Sequence, residues 1–304
     1  MVDPSADPKL ADSSTSPSTC RLEQPEPDPI VEVQDLTVQY GGQTILEGVN
    51  FQVHPREVLV IAGASGSGKS TLLRHMLGLE TSTRGKVLIE GEDLAAAAID
   101  DRQRILRRIG VAFQSGALFG SMTVLENVEL PLRTYTNLSG RMIAMVALTK
   151  LQLVGLAEQA QKKPAELSGG MQRRAGIARA LALDPAILFL DEPSAGLDPF
   201  TSAELDQLIL ALQKLLNMTF IIVSHQLPSI FAIADRVLLL STEKKTIVAE
   251  GDPTELRDSS PDPWVRAFFS RQPLEHHAHS ADSSNSVPSR NGGARPSANH
   301  RGKP

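Results

Sequence analysis

The sequence predicts an α/β fold in which a mostly parallel core sheet surrounds a phosphate-binding loop. Residues 63–71 (GASGSGKST) match the pattern G-x-x-x-x-G-K-[ST]. The apolar run 58–62 before this loop is typical of a buried strand, and residues 72–77 after it are typical of a helix. A strand, a glycine-rich loop and a helix in this order are the context in which the pattern binds phosphate, so a plain Gly/Ser turn is disfavoured.

The remaining elements follow from hydrophobic periodicity. Residues 30–38 alternate apolar and polar, and 45–53 form a further strand, so we predict an antiparallel β-subdomain near the N-terminus. A helical subdomain is expected at about 115–180, where residues 141–155 carry periodic leucines. The later strands are predicted at 86–91, 109–113, 187–190, 220–224, 236–240 and 246–251, and the other helices at 99–108, 175–183, 201–216, 227–234, 253–257 and 261–269.

The loop predicts how a nucleotide is held. Its glycines allow a tight turn in which backbone N–H groups converge on phosphate oxygens, and the helix N-terminus adds a favourable field. Lys69 should reach the β- and γ-phosphates, and the Ser70 hydroxyl should ligate Mg²⁺. The residues expected to bind the nucleotide here are Gly63, Ala64, Ser65, Gly66, Ser67, Gly68, Lys69, Ser70 and Thr71.

Polar side chains at three later strand ends predict the catalytic groups. The apolar run 187–190 ends at Asp191, which can hold Mg²⁺ through water, and Glu192, which can act as general base. Gln114 follows another strand and could hold Mg²⁺ or the attacking water, although it could also be an exposed loop amide. His225 ends a core strand, where a γ-phosphate sensor is favoured over a structural histidine.

A second anion-binding helix N-terminus is predicted at residues 167–174 (LSGGMQRR). Ser168 is placed to cap the helix, and Gly169 and Gly170 permit close backbone approach. One domain needs only one such site for its own nucleotide. The natural use of the second is therefore to bind the γ-phosphate of a nucleotide on another copy, and Asp198 lies in the turn beside the catalytic carboxylate.

Two other features leave alternatives open. Tyr40 at a strand end could stack on an adenine base or be an ordinary exposed aromatic residue. The apolar run 119–132 could dock a partner, but the core of a small helical subdomain is the preferred interpretation for most of its residues. Within this run Thr123 and Glu126 have the spacing of a capping box.

Composition restricts the class of protein. The 304 residues carry a net charge of −5, which argues against nucleic-acid binding, and a single Cys20 excludes a disulfide framework. No apolar run is long enough for a membrane span, and the N-terminus lacks the apolar region of a signal peptide. Action at a membrane would therefore need a partner. The expected domains are a disordered tail at 1–28, the main domain at 29–258, a helical extension at 259–271 and a disordered tail at 272–304.

With the motifs at 63–70, 167–171 and 187–192 in this order, the chain resembles an ABC-transporter nucleotide-binding subunit over residues 30–257. The resemblance implies an ATPase that uses ATP and Mg²⁺. The residues to which it assigns a role are Tyr40 (adenine stacking), Gln114 (the Q-loop), Ser168 and Gly170 (the signature motif), Asp198 (the D-loop) and His225 (the switch). The sequence departs from the pattern at Gln226, where many members carry an acidic residue.

A narrower resemblance is carried by residues 113–119, 123–128, 173–185 and 263–269. These segments are similar to the ATPases of Mla/MCE-type lipid transporters. The resemblance implies two copies that dimerise on ATP and drive a membrane permease from the cytoplasmic face of the inner membrane. It also implies an MCE-type lipid-binding protein and a small accessory protein as partners.

Other functions compete with this one. The Gln114 region also resembles ATPases of amino-acid importers, and the segment around Trp264 favours the lipid group. A DNA-repair ABC ATPase needs a long coiled coil between the nucleotide motifs, and a translation ATPase carries two halves in one chain. A monomeric P-loop kinase or GTPase-like switch would leave residues 167–171 without a use.

Overall fold

The structure is a computed structural model that describes residues 27–114 and 116–271. Of the tails expected at 1–28 and 272–304, only residues 27 and 28 lie within the described part. The strands are β1 (Val31–Tyr40), β2 (Gln43–Val53), β3 (Val58–Gly63), β4 (Arg84–Ile89), β5 (Glu92–Asp93), β6 (Ile109–Ala112), β7 (Ile187–Asp191), β8 (Thr219–Val223), β9 (Arg236–Leu240) and β10 (Ile247–Gly251). The helices are α1 (Lys69–Met76), α2 (Ile99–Leu106), α3 (Val124–Tyr135), α4 (Gly140–Leu153), α5 (Gly169–Ala180), α6 (Pro199–Leu216), α7 (Leu227–Ile233), α8 (Pro253–Ser259) and α9 (Pro263–Ser270), with short 3₁₀ turns at Ala157–Gln159 and Pro164–Glu166.

The core sheet has the strand order β10-β9-β3-β8-β7-β6. Its strands run parallel, except that β10 is antiparallel to β9. Every residue of β3 is buried, as expected for a central strand covered on both faces. The carboxyl ends of β3, β7 and β8 therefore meet at one edge, which brings the loop after residue 63 close to Asp191 and His225.

A second, antiparallel sheet has the order β2-β1-β4-β5. The apolar side chains of this sheet form one core with the side chains on one face of β3, those of Leu59 and Ile61. Val58 and Val60, which alternate with them, point to the opposite core beneath the helices. The prediction of an α/β fold with a mostly parallel sheet and an N-terminal antiparallel sheet is confirmed.

Helices α3, α4 and α5 pack on one another beside the core sheet. The capping box forms as predicted, because Glu126 N donates to Thr123 Oγ1 and Thr123 N donates to the Glu126 carboxylate. Val124, Val128 and Leu132 are buried in the chain's own core, whereas Phe119 is 52% exposed. Within the apolar run 119–132, Val124, Val128 and Leu132 therefore belong to the core, and Leu125 packs against it.

Two helices at the edge of the core have a clear physical reason for where they end or pack. Helix α4 ends at Leu153, before the predicted 155, because Gly155 adopts a left-handed φ of +72°. Helix α9 packs on its own chain through Val265 and Phe269, and the Phe269 ring meets that of Phe231 on α7 at 6.1 Å. Among the described residues, no helix is long and apolar enough to cross a membrane.

Candidate functional site

The loop after β3 has the conformation that its glycines predict. Gly63 has a φ of +152°, and a Cβ there would lie 2.6 Å from Ser67 Oγ and 2.7 Å from the Leu240 carbonyl oxygen. Gly68 has a φ of +95°, and its Cβ would lie 2.7 Å from Leu46 Cδ2. Neither position accepts a side chain, so the backbone turns tightly and leads directly into α1. No side chain of residues 27–114 or 116–271 caps that helix, and its first N–H groups are available to an anion.

Lys69, the first residue of α1, lies across the loop. Its Nζ donates to the carbonyl oxygens of Gly63 and Ala64, at 2.9 and 3.0 Å. The side chain is buried, which lowers the pKa of Lys69, while the charges of Glu192 and Asp191 oppose that shift. Two hydrogen bonds therefore hold the ammonium group at the loop, and the nearby carboxylates favour its charged form.

The two carboxylates at the end of β7 have different surroundings. Burial, and then the charge of Glu192, raise the pKa of Asp191 above its usual value. Asp191 Oδ1 is buried and, in the part of the chain that the structure describes, has no hydrogen-bond partner. The Glu192 backbone has a left-handed φ of +48°, and its Oε1 lies 2.7 Å from His225 Nδ1. Glu192 Oε2 is buried and has no hydrogen-bond partner among the described residues, so it could accept from a further donor.

Lys69, Glu192 and His225 line one pocket of about 720 Å³, whereas Asp191 is not among its lining residues. Gln114, Glu192 and His225 face it together with the loop, as the sequence predicted for a nucleotide site. Ser67 is buried beneath the loop instead. The pocket is lined by Ile45, Gly63, Ala64, Ser65, Gly66, Gly68, Lys69, Ser70, Thr71, Gln114, Glu192, His225 and Phe268. Sequence reasoning missed Ile45 and Phe268, which approach from β2 and α9 and carry no local motif.

Tyr40 is not among the residues that line this pocket. Its side chain is 45% exposed, and its hydroxyl donates to Glu80, which raises the pKa of Tyr40. Glu80 also pairs with Arg74 of α1 at 3.1 Å. The stacking of Tyr40 on an adenine base therefore stays a prediction.

The second helix N-terminus forms on the same chain but away from this pocket. Ser168 caps α5 by accepting a hydrogen bond from Met171 N at 3.3 Å. A Cβ on Gly170 would lie 2.5 Å from Thr201 Cγ2, so the glycine lets α5 approach α6. Asp198 caps α6 by accepting from Phe200 N and Thr201 N at 3.1 and 3.0 Å. Ser168, Gly170 and Asp198 are absent from the pocket lining.

An arginine that sequence reasoning missed connects α5 to the segment after Gln114. Arg179 donates to the carbonyl oxygens of Gly116 and Ala117, at 3.0 and 2.8 Å. Burial lowers the pKa of Arg179. Gly176 permits this contact, because a Cβ there would lie 3.1 Å from the Gly116 Cα. A basic residue in an otherwise apolar stretch of helix was the available signal.

Comparisons with known proteins agree with this geometry. A family described as ABC transporter matches residues 46–195. The intermembrane phospholipid transport ATP-binding protein MlaF of Escherichia coli K12 is 39% identical over 240 residues, 79% of this chain and 88% of that protein. The probable ribonucleotide transport ATP-binding protein mkl of Mycobacterium leprae is 41% identical over 239 residues, 79% of this chain and 68% of that protein.

Solved structures share the fold. The dimeric ATP-binding cassette MJ0796 in a post-hydrolysis state, bound to ADP and Pi, has a TM-score of 0.66 and 33% identity, and the match covers 73% of this chain and 98% of that one. The protein cbiO1 of Clostridium perfringens, part of the ABC transporter complex cbiONQ, has a TM-score of 0.69 and 29% identity, and the match covers 75% of this chain and 90% of that one.

Three observations indicate the same family. They are the order of the sequence motifs, the pocket that the loop shares with Glu192 and His225, and the relatives near 40% identity. The chain therefore belongs to the ABC transporter family, as an ATP-binding subunit that hydrolyses ATP.

Proposed function

We propose that two copies of this chain bind and hydrolyse ATP together and so drive a separate membrane permease for phospholipid. The observation that carries the chemistry is the hydrogen bond of 2.7 Å between Glu192 and His225, in the pocket lined by the phosphate loop. The lipid cargo is supported by the MlaF relatives, which are named as intermembrane phospholipid transport proteins.

In this proposal the loop and Lys69 bind the phosphates of ATP. Backbone N–H groups of the loop and of the first turn of α1 donate to phosphate oxygens, and Lys69 neutralises the β- and γ-phosphates. The carbonyl oxygens to which Lys69 now donates keep its amine at the mouth of the loop. Tyr40 is the proposed adenine contact.

Ser70, Gln114 and Asp191 would hold Mg²⁺. Among the described residues, no group of three or more His, Cys, Asp or Glu side chains could hold a metal ion. Mg²⁺ fits the site nevertheless, since it usually keeps waters and phosphate oxygens beside one or two carboxylates. The unpartnered buried Oδ1 of Asp191 is the oxygen that a cation would satisfy. When bound, Mg²⁺ neutralises charge on the β- and γ-phosphate oxygens.

Glu192 would act as the general base. An ionised carboxylate can only accept, so the proton shared with His225 lies on the histidine Nδ1. His225 thereby fixes Oε1, and Oε2 is left to accept a proton from the attacking water. Gln114 faces the same pocket and can orient that water through its amide.

The proposed dimer supplies each site with Ser168, Gly169, Gly170 and Asp198 from the other copy. This role is supported by the absence of Ser168 from its own chain's pocket and by the dimeric MJ0796 structures. Mixing a Lys69→Ala copy with a Ser168→Arg copy should leave one intact composite site in each mixed dimer and restore part of the activity. Sedimentation of Glu192→Gln with Mg-ATP should give dimers, and a monomer at micromolar concentration with the permease present would contradict the shared site.

The proposed permease contact is an apolar groove of about 240 Å³ lined by residues of α2, β6, α3 and α5. Arg179, which lines it, also donates to the carbonyl oxygens of Gly116 and Ala117. No acidic residue lines it in the part of the chain that the structure describes, whereas Arg107 and Arg179 do. Arg107 lies over the Tyr135 ring, 5.4 Å from its centre. The occupant that fits is a cytoplasmic permease helix with an apolar face and an acidic side chain. The groove is lined by Gln103, Leu106, Arg107, Ile109, Gly110, Val111, Pro131, Tyr135, Arg179, Ala180 and Leu183.

Tyr135 lines the groove and is 48% exposed, so it offers a test of this contact. Tyr135→Glu should uncouple transport and leave basal ATP hydrolysis largely intact. Leu215→Glu, on an exposed leucine at the end of α6, is the matched control and should transport normally. Equal transport by the two variants would argue against a permease contact at this surface.

The remaining partners are proposed from the resemblance. The chain would lie at the cytoplasmic face of the inner membrane through its permease, with an MCE-type lipid-binding protein and a small accessory protein. The half-buried rings of Trp264 and Phe268 on α9 are the surface we propose for the accessory protein or the second copy.

Affinity purification from native membranes, with proteins and lipids identified by mass spectrometry, tests the cargo. Recovery of an MCE-type component with phospholipid would support the proposal. A solute-importer permease with a periplasmic amino-acid-binding protein would overturn the lipid assignment but not the ATPase. A nucleotide transporter, in line with the name of the mkl relatives, would do the same.

A further inference from the structure

The turn that follows Glu192 is held by side-chain donors from two other elements. Gln226 Nε2 donates to the Ser194 carbonyl oxygen at 3.1 Å. Arg173 of α5 donates to the Ala195 carbonyl oxygen at 3.2 Å. Within the turn, Ala195 N donates to the Glu192 carbonyl oxygen at 3.1 Å. The backbone immediately after Glu192 is therefore fixed from both sides.

Gln226 stands where the family resemblance leads one to expect an acidic residue. It is the N-cap of α7, a position where a short acceptor such as Asp, Asn or Ser usually bonds to the helix N–H groups. Gln226 makes no such bond. Its amide instead acts as a donor to the Ser194 carbonyl oxygen, which an ionised carboxylate could not do. With glutamine at position 226, the side chain therefore does not cap α7 and instead forms a hydrogen bond to the turn after Glu192.

The hydrogen bond from Gln226 lies next to a strained backbone position, Glu192. Its φ of +48° is a left-handed conformation that a residue with a side chain seldom adopts. Such strain persists only where the surrounding contacts hold the residue in place. Ser229 adds a weaker contact from α7, since its hydroxyl lies 3.5 Å from that of the buried Ser194. Both α7 contacts act on the residue two positions after Glu192.

We propose that Gln226 is a positioning residue for ATP hydrolysis: it clamps the turn at Ser194 so that Glu192 stays aligned with His225 and the pocket. Gln226 follows His225 directly in the chain. The same segment therefore contacts the Glu192 side chain through His225 and the turn after Glu192 through Gln226. This inference rests on the proposed role of Glu192 as general base. Gln226 itself does not line the pocket.

Two variants remove the donor in different ways. Gln226→Glu keeps the length but replaces the donor with a charged acceptor, and Gln226→Met keeps the length without charge. Both should lower kcat about tenfold or more, because small misplacements of a catalytic group are costly. Both should leave the ATP Kd within about twofold, since no phosphate-binding group is touched.

The chain offers a matched control in Gln213. Its Nε2 also donates to a backbone carbonyl oxygen, that of Arg56, and it is half-buried like Gln226. Gln213→Glu therefore loses the same kind of hydrogen bond far from the site, and its kcat should match that of the wild type. Thermal unfolding should give similar midpoints for the Gln213 and Gln226 variants.

Steady-state ATPase kinetics and nucleotide-binding titrations on the purified full chain decide the outcome, with Glu192→Gln measured in parallel. A selective loss of kcat in both Gln226 variants supports the inference. If Glu192→Gln is inactive while the Gln226 variants turn over like Gln213→Glu, the inference is overturned and the proposed function stands. Parallel losses of kcat, ATP affinity and melting temperature would also overturn it, since they indicate a general packing role. Near-normal turnover by Glu192→Gln would instead remove the proposed function on which the inference rests.

Discussion

Glu192→Gln separates the proposed chemistry from nucleotide binding. Glutamine keeps an oxygen that can accept the hydrogen bond from His225 Nδ1, which is 2.7 Å long in the wild type. It loses the basic carboxylate oxygen that is buried without a partner. The loop and Lys69 remain as they are, so the phosphate site is retained.

The size of the effect follows from the loss of the base. Removing a positioned general base costs about 10²–10⁴-fold in rate, or about 3–5 kcal/mol of activation free energy. The substitution also removes a charge that raises the pKa of Asp191 and supports the protonated form of Lys69. Loss of the Glu192 charge favours the ionised form of Asp191, which strengthens metal binding, and disfavours the protonated form of Lys69, which weakens phosphate binding. Because these two effects act in opposite directions, we expect the ATP Kd to change by only a few-fold.

The assay is phosphate release at saturating Mg-ATP, with nucleotide affinity measured separately by equilibrium titration. Lys69→Ala is the contrasting variant, because it removes a phosphate contact and should weaken ATP binding itself. Turnover by Glu192→Gln within tenfold of the wild type would refute the assignment of the base. Equal loss of binding in the two variants would refute the separation of roles.

Three further predictions concern stability. Thr123→Ala removes the capping box of α3 and should lower the free energy of unfolding by about 1 kcal/mol in urea titrations, whereas an unchanged midpoint would contradict the capping role. Arg236→Met leaves the nearly buried Glu57 without its cationic partner at 2.7 Å and should cost about 3 kcal/mol, whereas Arg257→Met breaks an exposed pair and should change little. The pKa of Asp191 is raised in the folded state, so the ionised carboxylate destabilises the fold at pH values above the ordinary pKa of an aspartate. Asp191→Asn should therefore raise the melting temperature of the nucleotide-free protein at pH 7, and this gain should disappear near pH 4. An equal gain at both pH values would contradict this prediction.

The sequence by itself determined the features that depend on neighbours along the chain. The phosphate loop between β3 and α1, the capping box at Thr123 and the cap at Ser168 are local, so residue type and spacing were enough to predict them. The alternation and apolar runs of the strands likewise predicted both sheets. The family followed from the order of the same local motifs.

Only the tertiary structure decided which distant side chains meet. Strand β8 lies beside β3 in the sheet, and β7 lies beside β8. The carboxyl ends of β7 and β8 are therefore adjacent, which brings Glu192 and His225 to one pocket although they are 33 residues apart. No periodicity reveals that Phe268 lines this pocket, that Tyr40 bonds to Glu80 instead, or that Gln226 donates to the turn after Glu192. Such contacts depend on how helices and strands pack across the core, and packing is set by the whole chain at once, not by any segment of it.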